Sequence, residues 1–316
     1  MRRSAFLGAA GGALAMTVLR SPADADEAEI VLSTATGNIV GTLLPAATTP
    51  APVVLIVAGS GPTDRNGNSG LLQGNPYRLL ATALAARGIA SVRYDKRGVG
   101  ASLAAATSEL DLRFDIYVND TADWLRLLRA DRRFSHLGLA GHSEGSLIGM
   151  IAVQRAAADT FVSLAGVGRA LPVVLREQLK ARLSPELYAQ ADTMIAQLEA
   201  GQTVADPPAE LAQLFRPSVQ PYVISMFKYD PALELAKVRI PVTIVQGTAD
   251  VQVSLADAQA LKRADPSALL DVVDGMNHVL KYAPDTSSQA AILKGYEDPA
   301  LPVDPHVVDA IAAAVA

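Results

Sequence analysis

The sequence predicts an α/β protein: a mostly parallel β-sheet flanked by helices, with a block of helices inserted late in the chain. Three observations carry this. Short strand-like runs at 53–57, 89–94, 137–140, 160–165 and 242–246 alternate with segments of helical period. The run Val53-Val54-Leu55-Ile56-Val57 is apolar without interruption, as a strand buried on both faces of a parallel sheet must be. Between Gly166 and about Tyr229 the alternation stops and only helix-like stretches remain, before it resumes at Pro241-Val242.

Taken in order, 29–32 and 38–44 are β-rich and flank Thr36-Gly37-Asn38, a turn signal that predicts a hairpin. After a Pro, Thr and Ala loop, the strand at 53–57 runs into the glycine-rich loop Gly59-Ser60-Gly61-Pro62-Thr63-Asp64-Arg65-Asn66-Gly67. Leucines and alanines at helical spacing over 76–87 end at Gly88, a C-cap residue. The strand at 89–94 leads into Asp95-Lys96-Arg97-Gly98-Val99-Gly100-Ala101-Ser102. An amphipathic helix over 119–130 carries Trp124, the one tryptophan. A strand at 137–140, a helix over 146–158 and a strand at 160–165 follow. Helices over 171–183, 185–200 and 208–215 form the inserted cap, bounded at about 167–230. The strand at 242–246, a helix over 254–263, a last strand at 269–273 and a closing helix over 307–315 complete the chain.

Composition bounds the function. A chain of 316 residues, 50% hydrophobic and 19% charged, has material for one large core and does not resemble a disordered protein. A net charge of -5 argues against nucleic acid or an anionic membrane surface as partner. The absence of cysteine removes disulfides, thiolate metal sites and a Cys nucleophile. The four histidines, His136, His142, His278 and His306, lack metal-binding spacing, and no metal or organic cofactor is implied. The first 25 residues read as a cleavable leader: Arg2-Arg3, an apolar stretch over 5–19, then Ala23-Asp24-Ala25. Its opening is similar to a twin-arginine export signal, truncated because Met1 directly precedes the arginines. The expectation is an exported protein, periplasmic or secreted, starting near Asp26 and without stable membrane association after cleavage.

The chemistry centres on Gly141-His142-Ser143-Glu144-Gly145. A G-x-S-x-G between a strand and a helix is a nucleophile elbow: a sharp turn that lifts the serine hydroxyl clear of the sheet and leaves no room for side chains at the glycines. A serine needs a base to take its proton, usually a histidine held in one tautomer by a carboxylate. In a parallel sheet those groups come from loops at the carboxyl ends of strands. Asp250 follows the strand at 242–246, and His278 follows the strand at 269–273. Asp230, Asp257 and Asp274 compete for the acid, but Asp257 falls inside a helix and Asp274 lies too near His278 on the same loop.

With these segments in hand, the chain resembles an α/β-hydrolase over nearly all of its mature length. "GHSEG", "QGTADVQV" and "GMNHVLK" resemble the three triad segments, in the order Ser, acid, His, and "YDKRGVGAS" resembles the superfamily's D-x-R-G-x-G-x-S loop. "VAGSGPTDRNGNS" is similar to bacterial esterase-like members grouped with serine aminopeptidase-like and dienelactone hydrolase-like sequences. Ala58-Gly59-Ser60 departs from the His-Gly-x of many members, which separates the chain from the H-G-G-G lipases. The resemblance implies catalytic Ser143, Asp250 and His278 and an oxyanion hole from the backbone N–H groups of Ser60 and Glu144. It implies a small-molecule ester substrate, with amidase, peptidase or thioesterase chemistry as the alternative, and a non-catalytic binding protein as an alternative of another class.

Other residues receive plainer expectations. His142 points inward and packs. Asp95 and Arg97 brace their loop. Asp64 and Arg65 either line the pocket mouth or are solvated loop charges. Leu175, Leu179, Leu214, Phe215, Met226 and Phe227 suit the core of the cap better than an acyl pocket.

Overall fold

The computed structural model describes residues 26–70, 72–106 and 108–316. The leader expected over residues 1–25 lies outside the described residues. The strands are β1 (Ala28–Thr34), β2 (Gly37–Leu44), β3 (Ala51–Val57), β4 (Ala90–Tyr94), β5 (Phe134–His142), β6 (Thr160–Leu164), β7 (Val242–Gly247) and β8 (Leu269–Val273). The helices are α1 (Pro76–Ala85), α2 (Phe114–Arg129), α3 (Glu144–Arg155), α4 (Leu171–Lys180), α5 (Pro185–Glu199), α6 (Ala212–Phe215), α7 (Gln220–Met226), α8 (Pro231–Leu235), α9 (Leu255–Ala264), α10 (Gln289–Glu297) and α11 (Pro305–Val315).

The strands form one sheet in the order β1-β2-β4-β3-β5-β6-β7-β8. The β1–β2 hairpin and the β2–β4 pair are antiparallel, and every pair from β4 to β8 is parallel. Strand β3 shows why an uninterrupted apolar run is needed. Val53, Leu55 and Val57 face one core with Trp124 of α2, Ile148 of α3 and Leu261 of α9. Val54 and Ile56 face the other, with Leu80 and Leu84 of α1 and Val307 and Ile311 of α11. Both faces of the sheet are therefore covered, and the connections must cross over it.

Between β6 and β7 the chain leaves the sheet. Leu179, Met194, Ile195, Leu198, Phe215 and Val223 of α4–α7 pack into a separate apolar cluster. Of the residues weighed for an acyl pocket, Leu179 and Phe215 lie in this cluster, with Leu175 and Phe227 packed against it. Leu214 is exposed, and Met226 joins the main core instead.

The structure departs from the sequence reading at several helix ends. Helix α2 begins at Phe114 rather than 119, because Phe114 is wholly buried against Tyr222 and Tyr229 and its N–H donates to Ser225 Oγ at 2.8 Å. A side chain from α7 thus satisfies one of the orphan donors at the new terminus. Helices α7, α8 and α10 were not anticipated. They are short, and α8 relies on Asp230, which accepts from Ala232 N and Leu233 N at its start. Helix α3 begins at Glu144 rather than 146, directly on the elbow.

Buried charges tie the loop after β4 in place. Asp95 accepts from Arg65 N at 2.7 Å, Arg65 Nε at 3.1 Å and Ala101 N at 2.9 Å. Arg97 makes a two-pronged pair with Asp120 of α2, Nη2–Oδ1 2.6 Å and Nε–Oδ2 3.0 Å, and also donates to Thr36 Oγ1 and, at 2.7 Å, to Ala105 O. Both loop residues brace, as expected, but to different partners. Burial pushes the Asp120 carboxyl up, and Arg97 opposes that shift. Among the described residues, no helix is long and apolar enough to cross a membrane.

Removing Arg97 strands Asp120 in the core. Arg97→Met is expected to lower the unfolding free energy by about 3–5 kcal/mol in urea titration. Arg97→Met/Asp120→Leu, which removes both charges, is expected to recover much of that loss.

Candidate active site

Strand β5 ends at His142 and helix α3 begins at Glu144, leaving Ser143 alone to make the turn at φ 54 and ψ -120. A non-glycine residue in that region is strained and persists only where its surroundings impose it. Here they do. A Cβ on Gly141 would overlap the Gly145 carbonyl, and one on Gly145 would overlap the carbonyls of Val57 and Ala58. The two glycines let the end of β3 and the first turn of α3 close around the serine. Ser143 N donates to Leu164 O at 2.9 Å, which anchors the turn to β6.

His278 lies in the turn after β8 and Asp250 in the turn after β7, and the two meet. His278 Nδ1 stands 2.8 Å from Asp250 Oδ2, with the Asp250 side chain fully buried. Asp250 Oδ1 accepts from Gln252 N at 2.8 Å and Val253 N at 2.9 Å, and Oδ2 also accepts from Gln246 Nε2 at 3.1 Å. Burial would raise this carboxyl, but the His278 charge and these hydrogen bonds hold it below the usual carboxylate range. An ionised carboxylate only accepts, so the proton between them sits on His278 Nδ1, and a neutral His278 then has a bare Nε2. The competing aspartates are engaged elsewhere: Asp230 caps α8, Asp257 pairs with Arg169 and caps α9, and Asp274 accepts from Thr248 Oγ1.

His142 turns inward, as expected, but does more than fill space. Its Nε2 is 2.7 Å from the His278 carbonyl oxygen, which can only accept, so Nε2 carries the proton. Burial and the neighbouring His278 push its pKa down to about 3, so the ring is neutral and Nδ1 is bare. Nδ1 therefore accepts from the Tyr77 hydroxyl at 2.7 Å, and that same Tyr77 oxygen accepts the Gly59 N–H at 3.1 Å. One buried chain of hydrogen bonds thus links the loop after β3, helix α1, the elbow and the histidine loop.

Ser60 is exposed in the loop after β3, next to Gly59, where a Cβ would stand 3.2 Å from Ser143 Cβ. Glu144 opens α3, its side chain buried and 3.3 Å from Lys96 Nζ. Lys96 also donates to the Gly59 carbonyl at 2.6 Å. A cavity of about 390 Å³ opens beside Glu144, walled by Gly61, Pro62, Val99, Leu112, Tyr117 and Tyr222 among others. Burial and the Glu144 carboxylate raise the Tyr222 phenol well above its ordinary value. Glu109 at the cavity wall is bound by Arg216 and Ser218, which hold its carboxyl low.

Asp64 and Arg65 are both half-buried and held by hydrogen bonds within the fold. Asp64 organises its own loop by accepting from Asn66 N at 2.8 Å and Asn68 N at 2.9 Å, while Arg65 is spent on Asp95. The sequence reading missed Tyr77, Lys96 and Gln246 as neighbours of the site. Lys96 sits in the Asp95–Ser102 motif, but nothing local marks it as buried.

Residues 73–285 match the Hydrolase_4 family, described as serine aminopeptidase, S33. That span contains Ser143, Asp250 and His278 and starts beyond Ser60. The chain is similar to Esterase EstD of Thermotoga maritima, with 26% identity over 294 residues, covering 92% of this chain and 68% of the esterase. Among solved structures it is similar to the α/β hydrolase GrgF from Penicillium sp. sh18, with TM-score 0.57 and 17% identity, covering 86% of this chain and 99% of that one. A putative hydrolase from Agrobacterium vitis S4 gives TM-score 0.57 and 17% identity over 92% of this chain and 99% of the other. The fold is that of the α/β-hydrolases.

The buried, neutral His142 makes stability depend on pH. The unfolded chain takes up this proton near the ordinary value of 6.5, the folded chain only near 3. Between those values protons favour the unfolded state, so stability falls as pH drops, by at most about 1.4 kcal/mol per unit from this group. His142→Gln lacks the titration. The stability gap between wild type and variant, from urea unfolding at pH 7 and pH 4.5, is expected to narrow at the lower pH.

Proposed function

The chain belongs to the serine aminopeptidase S33 family of α/β-hydrolases, and from that membership and its site we propose that it hydrolyses carboxylic esters by nucleophilic catalysis at Ser143. The observations that carry the reading are the 2.8 Å contact of His278 Nδ1 with a buried, ionised Asp250 and a serine held on a strained elbow. In this reading Ser143 Oγ attacks the ester carbonyl as His278 Nε2 takes its proton, and Asp250 stabilises the imidazolium. The tetrahedral oxyanion is received by the N–H groups of Ser60 and Glu144, two preorganised donors worth on the order of 3 kcal/mol each. The amino end of α3 adds its dipole at the same point. His278 then returns the proton to the departing alkoxide. Water attacks the acyl-enzyme with His278 again as base, releasing the acid and restoring Ser143. The Arg2-Arg3 and Ala23-Asp24-Ala25 signals support export of the enzyme.

Cleavage of peptides is the second reading, favoured by the family's name. An aminopeptidase needs an unneutralised carboxylate near the pocket to hold a substrate amine. The carboxylates along this cavity are Glu144, paired with Lys96, and Glu109, paired with Arg216. That supports the ester reading, since an alkoxide also leaves more readily than an amine.

A fluorophosphonate probe is expected to label wild type at Ser143 and not to label Ser143→Ala, whose Tm stays near wild type. No label on folded wild type would remove the enzyme reading and leave a binding protein on this fold. Asp250→Asn is expected to reduce kcat on the order of 10⁴-fold, because the amide favours the wrong His278 tautomer. A panel of p-nitrophenyl esters against aminoacyl anilides separates the substrate classes: anilide turnover rivalling ester turnover would establish the peptidase instead.

A further inference from the structure

Lys96 is 1% exposed, a rare state for a lysine, and it takes no part in the proton chemistry described above. Among the described residues its ammonium has two polar partners. Nζ donates to the Gly59 carbonyl at 2.6 Å and lies 3.3 Å from Glu144 Oε1, with the Tyr117 ring centroid at 5.1 Å. These partners are not arbitrary. Gly59 directly precedes Ser60, and Glu144 directly follows Ser143, so the one cation reaches both segments that carry the proposed oxyanion donors.

The geometry of a peptide unit makes the first contact consequential. The Gly59–Ser60 bond is trans, so the Gly59 C=O and the Ser60 N–H belong to one rigid plane and point in opposite directions. Holding the carbonyl oxygen on Lys96 fixes where the Ser60 N–H points. The preceding peptide is held as well, since Gly59 N–H donates to Tyr77 Oη at 3.1 Å. Gly59 is thereby pinned on both sides, at a place where even a Cβ would stand only 3.2 Å from Ser143 Cβ. A cation on a carbonyl also polarises the amide and strengthens its N–H as a donor. The Glu144 carboxylate offsets the ammonium charge and ties the start of α3 to the same point.

We propose that Lys96 is a positioning residue for the oxyanion hole, orienting and polarising the Ser60 N–H through the Gly59 carbonyl and bracing the Glu144 N–H through the Glu144 side chain. This rests on the Ser143 hydrolase reading above. It differs from a plain structural ion pair in one respect: its effect falls on the tetrahedral state, in which the oxyanion exists, and not on the bound ester.

The test compares wild type, Lys96→Met and Lys96→Gln with a p-nitrophenyl ester and with an aryl trifluoromethyl ketone, whose hemiketal oxyanion needs the same donors. Lys96→Met is expected to lose about 10- to 100-fold in kcat, below the loss of about 10²–10³ for deleting a donor outright. KM is expected to stay within about two-fold, and the ketone's affinity to fall by the same factor as kcat/KM. Lys96→Gln keeps an uncharged donor on a shorter stem and is expected to fall between the two. Wild-type kcat and ketone affinity in a folded Lys96→Met overturn the proposal, as does a loss confined to KM. Should Lys96→Met fail to fold, Lys96→Gln decides in its place: parallel losses in kcat and ketone affinity support the role, and wild-type values for both overturn it. Fluorophosphonate labelling of wild type runs alongside. Its absence sinks the serine-hydrolase reading itself, whereas normal labelling with unchanged variant kinetics removes only the role of Lys96.

Discussion

The backbone of Ser143 is held where an L-residue does not rest willingly, and the arrangement of the site follows from what holds it there. Strand β5 must end and helix α3 begin within one residue, which forces the positive φ. The strain, about 1–3 kcal/mol for such a conformation, is sustained because Gly141 and Gly145 let the backbone of β3 and α3 approach to a distance no side chain permits. Relaxing the turn would lower the serine toward the sheet and separate it from the loops that serve it.

Those loops converge because the sheet is parallel. From β4 to β8 every strand ends at the same edge, so the segments after β3, β5, β7 and β8 meet there although they are far apart in sequence. Topology brings them together but does not set their relative positions to a few tenths of an ångström. Buried hydrogen bonds supply that. His142 reaches 136 residues along the chain to the His278 carbonyl and 65 residues back to Tyr77, which in turn holds Gly59. A histidine beside Ser143 thus locks the frame in which His278 meets Asp250. Its low pKa keeps it a fixed, neutral connector over the pH range in which a catalytic histidine must change charge.

Charge around the site is present but spoken for. Asp250 is matched to His278, Glu144 to Lys96, Glu109 to Arg216, and Arg97 to Asp120. Three of these pairs are buried, where ions are tolerated only when paired and hydrogen-bonded, while Glu109–Arg216 is partly exposed; each pair spans two segments of chain. The cavity beside Glu144 is accordingly lined by aromatic and aliphatic groups with paired ions among them.

The sequence by itself determined the sheet, its parallel strands, the elbow and the order Ser143, Asp250, His278, because each of these is written in short local patterns. An apolar run, a glycine at each side of a serine, or an acid just after a strand can be read within ten residues. Only the tertiary structure decided what Lys96, Tyr77, Gln246 and His142 do. Gly59 lies 37 residues from Lys96 and 18 from Tyr77, and a lysine in a loop motif carries no local sign that it is buried. The true start of α2 was hidden for the same reason, since Phe114 owes its place to Ser225 and Tyr222, more than a hundred residues on. Periodicity and turn chemistry act along the chain, whereas burial and hydrogen-bond pairing are settled across it.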